Sequence, residues 1–184
     1  MKVYLNPGHD VVHDSGACHA DGTREADIAA QVGELVKGYL EGAGCEVMMR
    51  QSDNLCWDSD YSDRQDAAVC PEANQWGADI FVSIHCNAFI ATAKGTEVEC
   101  YGPGEGETLA QCIQSQIVGS LGTVDRGVRY MPKLMVLRKT DMTACLVEMA
   151  FIDQDDDCKL LKEKTDEFAR AIARGVTDYE CKRG

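Results

Sequence analysis

Residues 79–84 read Asp-Ile-Phe-Val-Ser-Ile (DIFVSI) and hand directly to His85. A nearly continuous apolar run of strand length predicts a strand covered on both faces, as in the interior of a parallel sheet. Outward from this run, strands and helices alternate. Lys2–Leu5 reads as a first strand that ends on Asn6-Pro7-Gly8 and delivers His9. From Glu25 to Ala43 apolar residues such as Ile28, Val32, Leu35, Val36 and Leu40 recur at helical steps of three and four. Thr23 is the expected N-cap of that helix and Gly44 its stop. Cys45–Met49 reads as a second strand and 54–62 as a polar loop. Asp63–Gly77 reads as a helix that Pro71 should break or kink.

Downstream, Thr96–Tyr101 reads as a strand and Thr108–Leu121 as a helix. Leu134–Leu137 and Cys145–Met149 read as two further strands. Asp153–Tyr179 reads as mostly helix, with Leu160, Leu161, Phe168, Ala169, Ile172 and Val176 facing inward. Strands alternating with helices predict the α/β class, as a single-domain sandwich over residues 1–184 with a mostly parallel sheet. No internal repeat, low-complexity tract or linker interrupts it.

A chain of 184 residues buries roughly 70% of its unfolded surface, so it needs neither disulfides nor metal merely to fold. No apolar run approaches the ~20 residues of a membrane span. The N-terminus lacks the long apolar core of a signal peptide, which predicts synthesis in the cytoplasm. A net charge of −13 argues against nucleic acid and anionic membranes as partners, since both favour a basic patch. Ten cysteines are present and no two have C-x-x-C spacing, which disfavours a zinc ribbon or a thioredoxin-like motif. Most read as free thiols packing as small hydrophobes in a reducing compartment, with one or two disulfides still compatible.

In α/β sheets, chemistry collects beyond the carboxyl ends of the strands. That rule singles out His9 after the first strand, His85 after DIFVSI, and Glu148 near the end of Cys145–Met149. Either histidine alone reads as a core residue bonded to backbone. Parallel strands would bring both out on one sheet edge. Glu25, in the first turn of the first helix, alone reads as a carboxylate favoured by the helix dipole. The loop from the first strand must return to that strand's end, however, and brings Glu25 toward His9. Two imidazoles and a carboxylate make a three-ligand catalytic zinc site with a fourth position for water.

Glu148 lies in Ala144–Ile152, where every other residue is apolar. An unpaired carboxylate there is costly. Either Arg138 or Arg129 pairs with it, or its raised pKa suits a general base. His9 and His13 (HDVVH) lack the Glu of H-E-x-x-H, and His13 and His19 read as solvated loop residues. There is no G-x-S-x-G. Cys86 has no evident activation as a nucleophile. GPGEGE at 102–107 lacks the Lys and Ser/Thr of a phosphate-binding loop and reads as a surface turn.

Taken together, the segments resemble the catalytic domain of zinc-dependent N-acetylmuramoyl-L-alanine amidases, the type 3 amidase family. The matching stretches are NPGHD, SGA at 15–17, Glu25-Ala26-Asp27, ANQWGADIFVSIHCNA at 73–88, DRGVR at 125–129, LMVLRKT at 134–140 and LVEMAFID at 146–153. They span nearly the whole chain in the family's order. The resemblance implies a twisted sheet of about six strands flanked by helices. It makes His9, Glu25 and His85 the ligands of Zn2+ and Glu148 the catalytic glutamate. It implies peptidoglycan as the substrate and hydrolysis of the amide joining N-acetylmuramic acid to L-alanine of the stem peptide. The chain departs from the family at Asp10-Val11, where a second Gly is usual, and at Thr143 and Ala150, where Pro and Gly are common. It also departs around Arg64, which lies farther from Asn74 than the family's arginine. These departures leave the ligands and Glu148 untouched and bear on the groove.

The expected reaction uses zinc to activate a water and polarise the scissile carbonyl, with Glu148 moving the proton to the departing alanine nitrogen. Asn87 is a candidate for lining the groove. The site of action would be the cell wall, for a phage or prophage lysin or for a domain of a secreted protein. Competing readings are a zinc exopeptidase acting on free peptides and a non-catalytic wall-binding module with a vestigial site.

Overall fold

The computed structural model describes residues 1–56, 68–89 and 92–183. Its strands are β1 (Lys2–Pro7), β2 (Glu46–Met49), β3 (Ile80–Asn87), β4 (Thr96–Cys100), β5 (Asp125–Tyr130) and β6 (Thr143–Phe151). They form one sheet in the order β2-β1-β3-β6-β4-β5. All neighbouring pairs are parallel except β4 and β6, which run antiparallel. The expected α/β sandwich with a mostly parallel six-stranded sheet is thus what the chain forms.

The helices are α1 (Glu25–Gly42), α2 (Val69–Trp76), α3 (Glu105–Leu121), α4 (Met135–Arg138), α5 (Asp155–Glu163) and α6 (Thr165–Arg183). Strand periodicity sorts the side chains between two layers. Val3, Leu5, Ile80, Val82, Ile84, Cys145 and Val147 face one way and pack in a large core with α1, α3, α5 and α6. Tyr4, Phe81, Ala144 and Leu146 face the other way and form a smaller core with α2 and α4. By the same alternation His85, Glu97, Glu99 and Glu148 fall on the second face. There α4 has only four residues, and among the described residues a cleft opens over the strand ends.

Several expectations are corrected. Leu134–Leu137 is not a strand but runs into α4, because the Leu134 carbonyl accepts from Leu137 and Arg138 N–H at 3.2 and 3.0 Å. A four-residue apolar run fits either conformation until its partners are known. The fifth strand is Asp125–Tyr130, an edge strand whose charged residues hide the period-two signal. In the described part of that helix, α2 starts at Val69, so Pro71 lies in its first turn, where N–H groups have no intrahelical acceptor, rather than in its interior. Residues 57–67, which include most of the loop expected at 54–62, the start of the helix expected at 63, and Arg64, lie outside the described residues. Arg24, not Thr23, is the N-cap of α1; the Thr23 hydroxyl donates to Asp21 at 2.7 Å instead. The C-terminal helix is two helices, α5 and α6, meeting at Lys164. All ten cysteines are free thiols.

Candidate active site

The end of β1 is tied to β3 by the Gly8 N–H, which donates to the Ile84 carbonyl at 2.8 Å. The contact is close enough that a Cβ on Gly8 would stand 2.2 Å from His85 Cε1. His9 follows with φ +63°, the one non-glycine residue with positive φ among the described residues. A backbone in that region costs about 1–3 kcal/mol and persists only where surrounding contacts hold it. Those contacts are two carboxylates. His9 Nδ1 lies 2.7 Å from Asp14 Oδ2, and Nε2 lies 3.0 Å from Glu25 Oε2. Burial pulls the His9 pKa down, but Glu25 and Asp14 outweigh it and hold it at about 9.

Asp10 accounts for the return of Asp14. Its Oδ1 accepts from the N–H groups of Val12 and His13 at 2.8 and 3.0 Å. The backbones of Asp10 and Asp14 then bond to each other at 2.9 and 3.0 Å. The turn that departs from the family pattern is therefore what brings Asp14 back against His9.

Glu25, the first residue of α1, is 3% exposed. Its Oε1 accepts from the Cys86 N–H at 2.9 Å and faces His85 Nδ1 at 3.0 Å. Its Oε2 accepts from the Ala17 N–H at 2.9 Å and faces His9 Nε2. Burial opposes the charge, but the two imidazoles prevail and hold the carboxyl well below its ordinary range. A Cβ on Gly16, which has φ +63°, would stand 2.6 Å from His9 and 2.7 Å from Glu25. The chain thus leaves bare backbone beside both groups, a cradle that a side chain would fill. One donor atom each from His9, Glu25 and His85 lies within 4.8 Å of the other two. Two nitrogens and one carboxylate oxygen are a donor set that suits a borderline divalent metal with an open position. Asp14 is the outer carboxylate that fixes such an imidazole.

Glu148 is the register partner of His85 across β3 and β6. Its Oε2 is buried and has no hydrogen-bond partner among the described residues. Burial, then the nearby charges of Glu25, Glu99 and Glu97, push its pKa well above the ordinary carboxylate range, with His9 opposing. Among the described residues neither Arg138 nor Arg129 pairs with it: Arg129 stands 3.7 Å from Glu97 instead, beside Arg126 at 2.8 Å from the same carboxylate. Glu97 in turn holds the Asn87 amide at 2.8 Å. Glu99 pairs with no cation among the described residues, and burial followed by Glu97 raises it to about 7.

One cleft of about 420 Å³ is lined by Glu25, His85, Asn87, Glu99, Leu146 and Glu148, and also touches His9. A second of about 250 Å³ adjoins it through His9, His85, Leu134 and Leu146 and reaches Asp14 and Ser52. Cys86 is 3% exposed, and burial followed by Glu25 and Glu148 raises its thiol, so it is no nucleophile. His13 is exposed, as expected for a loop residue. His19 is not simply solvated, since Asp21 and Asp155 each stand 3.0 Å from one of its ring nitrogens. Residues the sequence reading passed over are Asp14, Glu97, Glu99 and Arg126. Asp14 carried one usable signal, a carboxylate five residues after a candidate ligand.

The family model described as N-acetylmuramoyl-L-alanine amidase matches residues 3–178. The chain is 36% identical over 182 residues to the uncharacterized protein YqiI of Bacillus subtilis (strain 168), covering 96% of this chain and 84% of that protein. It is 31% identical to the N-acetylmuramoyl-L-alanine amidase LytC of the same organism, covering 96% of this chain but 35% of LytC. The chain thus spans about a third of that relative's length. Its backbone is similar to the crystal structure of an N-acetylmuramoyl-L-alanine amidase from Clostridium difficile 630, with TM-score 0.86 and 28% identity over 100% of this chain and 98% of that one.

Proposed function

Because the chain belongs to the N-acetylmuramoyl-L-alanine amidase family, we propose that it is a zinc-dependent peptidoglycan hydrolase. It cleaves the amide between N-acetylmuramic acid and L-alanine of the stem peptide, at the cell wall. One observation carries the reading to named residues: His9, Glu25 and His85 converge on one point, and an unpaired Glu148 stands in register beside His85. In this reading the first three hold zinc. Bound there, zinc supplies Lewis acidity at the scissile carbonyl and lowers the pKa of a water.

The chain's own residues do the rest. Glu148 takes a proton from the attacking water at its carboxylate and delivers it to the alanine nitrogen as the C–N bond breaks. Its surroundings favour holding that proton between the two steps, because burial and three neighbouring carboxylates penalise its charge. Asp14 orients His9. Asn87, aimed by Glu97 and Arg126, presents its amide at the cleft wall.

The test pairs metal analysis of the purified protein with mass spectrometry of digested peptidoglycan. One zinc bound through His9, Glu25 and His85, with new alanine N-termini and intact glycan chains, is the expected result. Release of free C-terminal amino acids would instead mark an exopeptidase. Bound zinc with no hydrolysis of any peptidoglycan would mark a wall-binding module.

A further inference from the structure

We infer that His19, Asp21 and Cys158 form a second metal site, for a zinc-like divalent cation, sharing no residue with the first. One donor atom from each lies within 4.8 Å of the other two. The residues come from two elements. A tight loop, closed by the His19 N–H to the Thr23 carbonyl at 2.9 Å and the Gly22 N–H to the His19 carbonyl at 3.0 Å, presents His19 and Asp21. The N-terminal half of α5 supplies Cys158, which is 1% exposed.

The wiring repeats that of His9. There, one ring nitrogen faces a shared carboxylate and the other an outer one. Here His19 Nδ1 lies 3.0 Å from Asp21 Oδ1, while Nε2 lies 3.0 Å from Asp155 Oδ1. An imidazole held by an outer carboxylate at one nitrogen is set to offer the other to a metal. A nitrogen, a carboxylate oxygen and a sulfur together select a borderline cation such as zinc over magnesium or calcium.

Three local groups compete with the metal. The Asp21 N–H donates to His19 Nδ1 at 3.3 Å and must give up that lone pair on binding. Lys162 Nζ holds Asp21 at 2.6 Å, but on Oδ2, so Oδ1 still faces His19. The Thr23 hydroxyl and N–H donate to Oδ1 at 2.7 and 2.9 Å. The hydroxyl must turn away on binding, while the N–H bond can stay on the oxygen's second lone pair. Cys158 enters as thiol and binds as thiolate, and its proton leaves to solvent, so occupancy increases with pH. When filled, the site clamps the loop ahead of α1 to α5. The same loop region supplies the Ala17 N–H that supports Glu25.

Cobalt(II) distinguishes the two centres, because the first has no sulfur ligand and the second has one. Cobalt-loaded wild-type protein should show a thiolate-to-cobalt charge-transfer band in the near ultraviolet and bind two metals per chain. Cys158→Ser and, as a surface variant that spares the core, Asp21→Asn should lose the band and bind one. His85→Ala, which addresses the first centre only, should keep it. A wild-type protein without the band, or a band that survives both Cys158→Ser and Asp21→Asn, overturns the proposal. The readout is independent of hydrolysis, so a failed amidase assignment leaves it standing.

Discussion

Asp14 Oδ2 stands 2.7 Å from His9 Nδ1, and this contact decides which way the imidazole points. It commits Nδ1 to the outer carboxylate and leaves Nε2 against Glu25. Asp14→Asn should keep the fold but weaken metal binding by roughly 10–100-fold, the usual cost of losing such a partner. Competition with a zinc chelator measures it, and unchanged affinity would remove Asp14 from the site.

Glu148→Ala should bind metal as the wild type does and lose about 10²–10⁴ in kcat, the span attributed to a positioned proton carrier. The pairing of retained metal with lost turnover is the informative outcome. Wall lysis at wild-type rate would exclude Glu148 as the proton carrier.

Gly8→Ala should displace the His85 ring, since the new Cβ would sit 2.2 Å from Cε1. We expect loss of bound metal and a destabilisation of about 1–3 kcal/mol, typical of overpacking. Gly38→Ala in α1 meets nothing within 4 Å and should be neutral or stabilising by up to ~1 kcal/mol. Denaturant melts of the two variants side by side test the contrast.

Glu99 carries the pH prediction. Its carboxyl is raised from 4.5 to about 7 by burial first and Glu97 second. The folded chain therefore binds this proton more tightly than the unfolded chain does, so the stabilising contribution is full below 4.5 and is lost as pH rises through 7. Glu99→Gln should be increasingly more stable than wild type as pH climbs across that window. Melting temperatures that run parallel from pH 4.5 to 7 would contradict the assignment.

Much of the architecture is legible in the chain because its cues are local. DIFVSI and the residues around Glu148 are apolar runs whose length and composition suit covered strands, and both are strands here. The helical period from Glu25 onward gives α1 to within a residue. What fails is where one local pattern fits two environments. LMVL can be strand or turn of helix, and DRGVRY hides an edge strand under its charges.

By itself, the sequence determined the fold class, the family and the four chemical groups worth following, since residue type and strand-end position travel with the chain. Only the tertiary structure decided how they meet. Glu25 lies sixteen residues from His9 and sixty from His85, yet its two oxygens face both rings at 3.0 Å. The Asp14 support, the Glu97–Glu99–Glu148 carboxylates and the His19–Asp155 contact follow from loop closure and from β4 running antiparallel to β6. Such pairings arise from long-range packing, which no periodicity along the chain encodes.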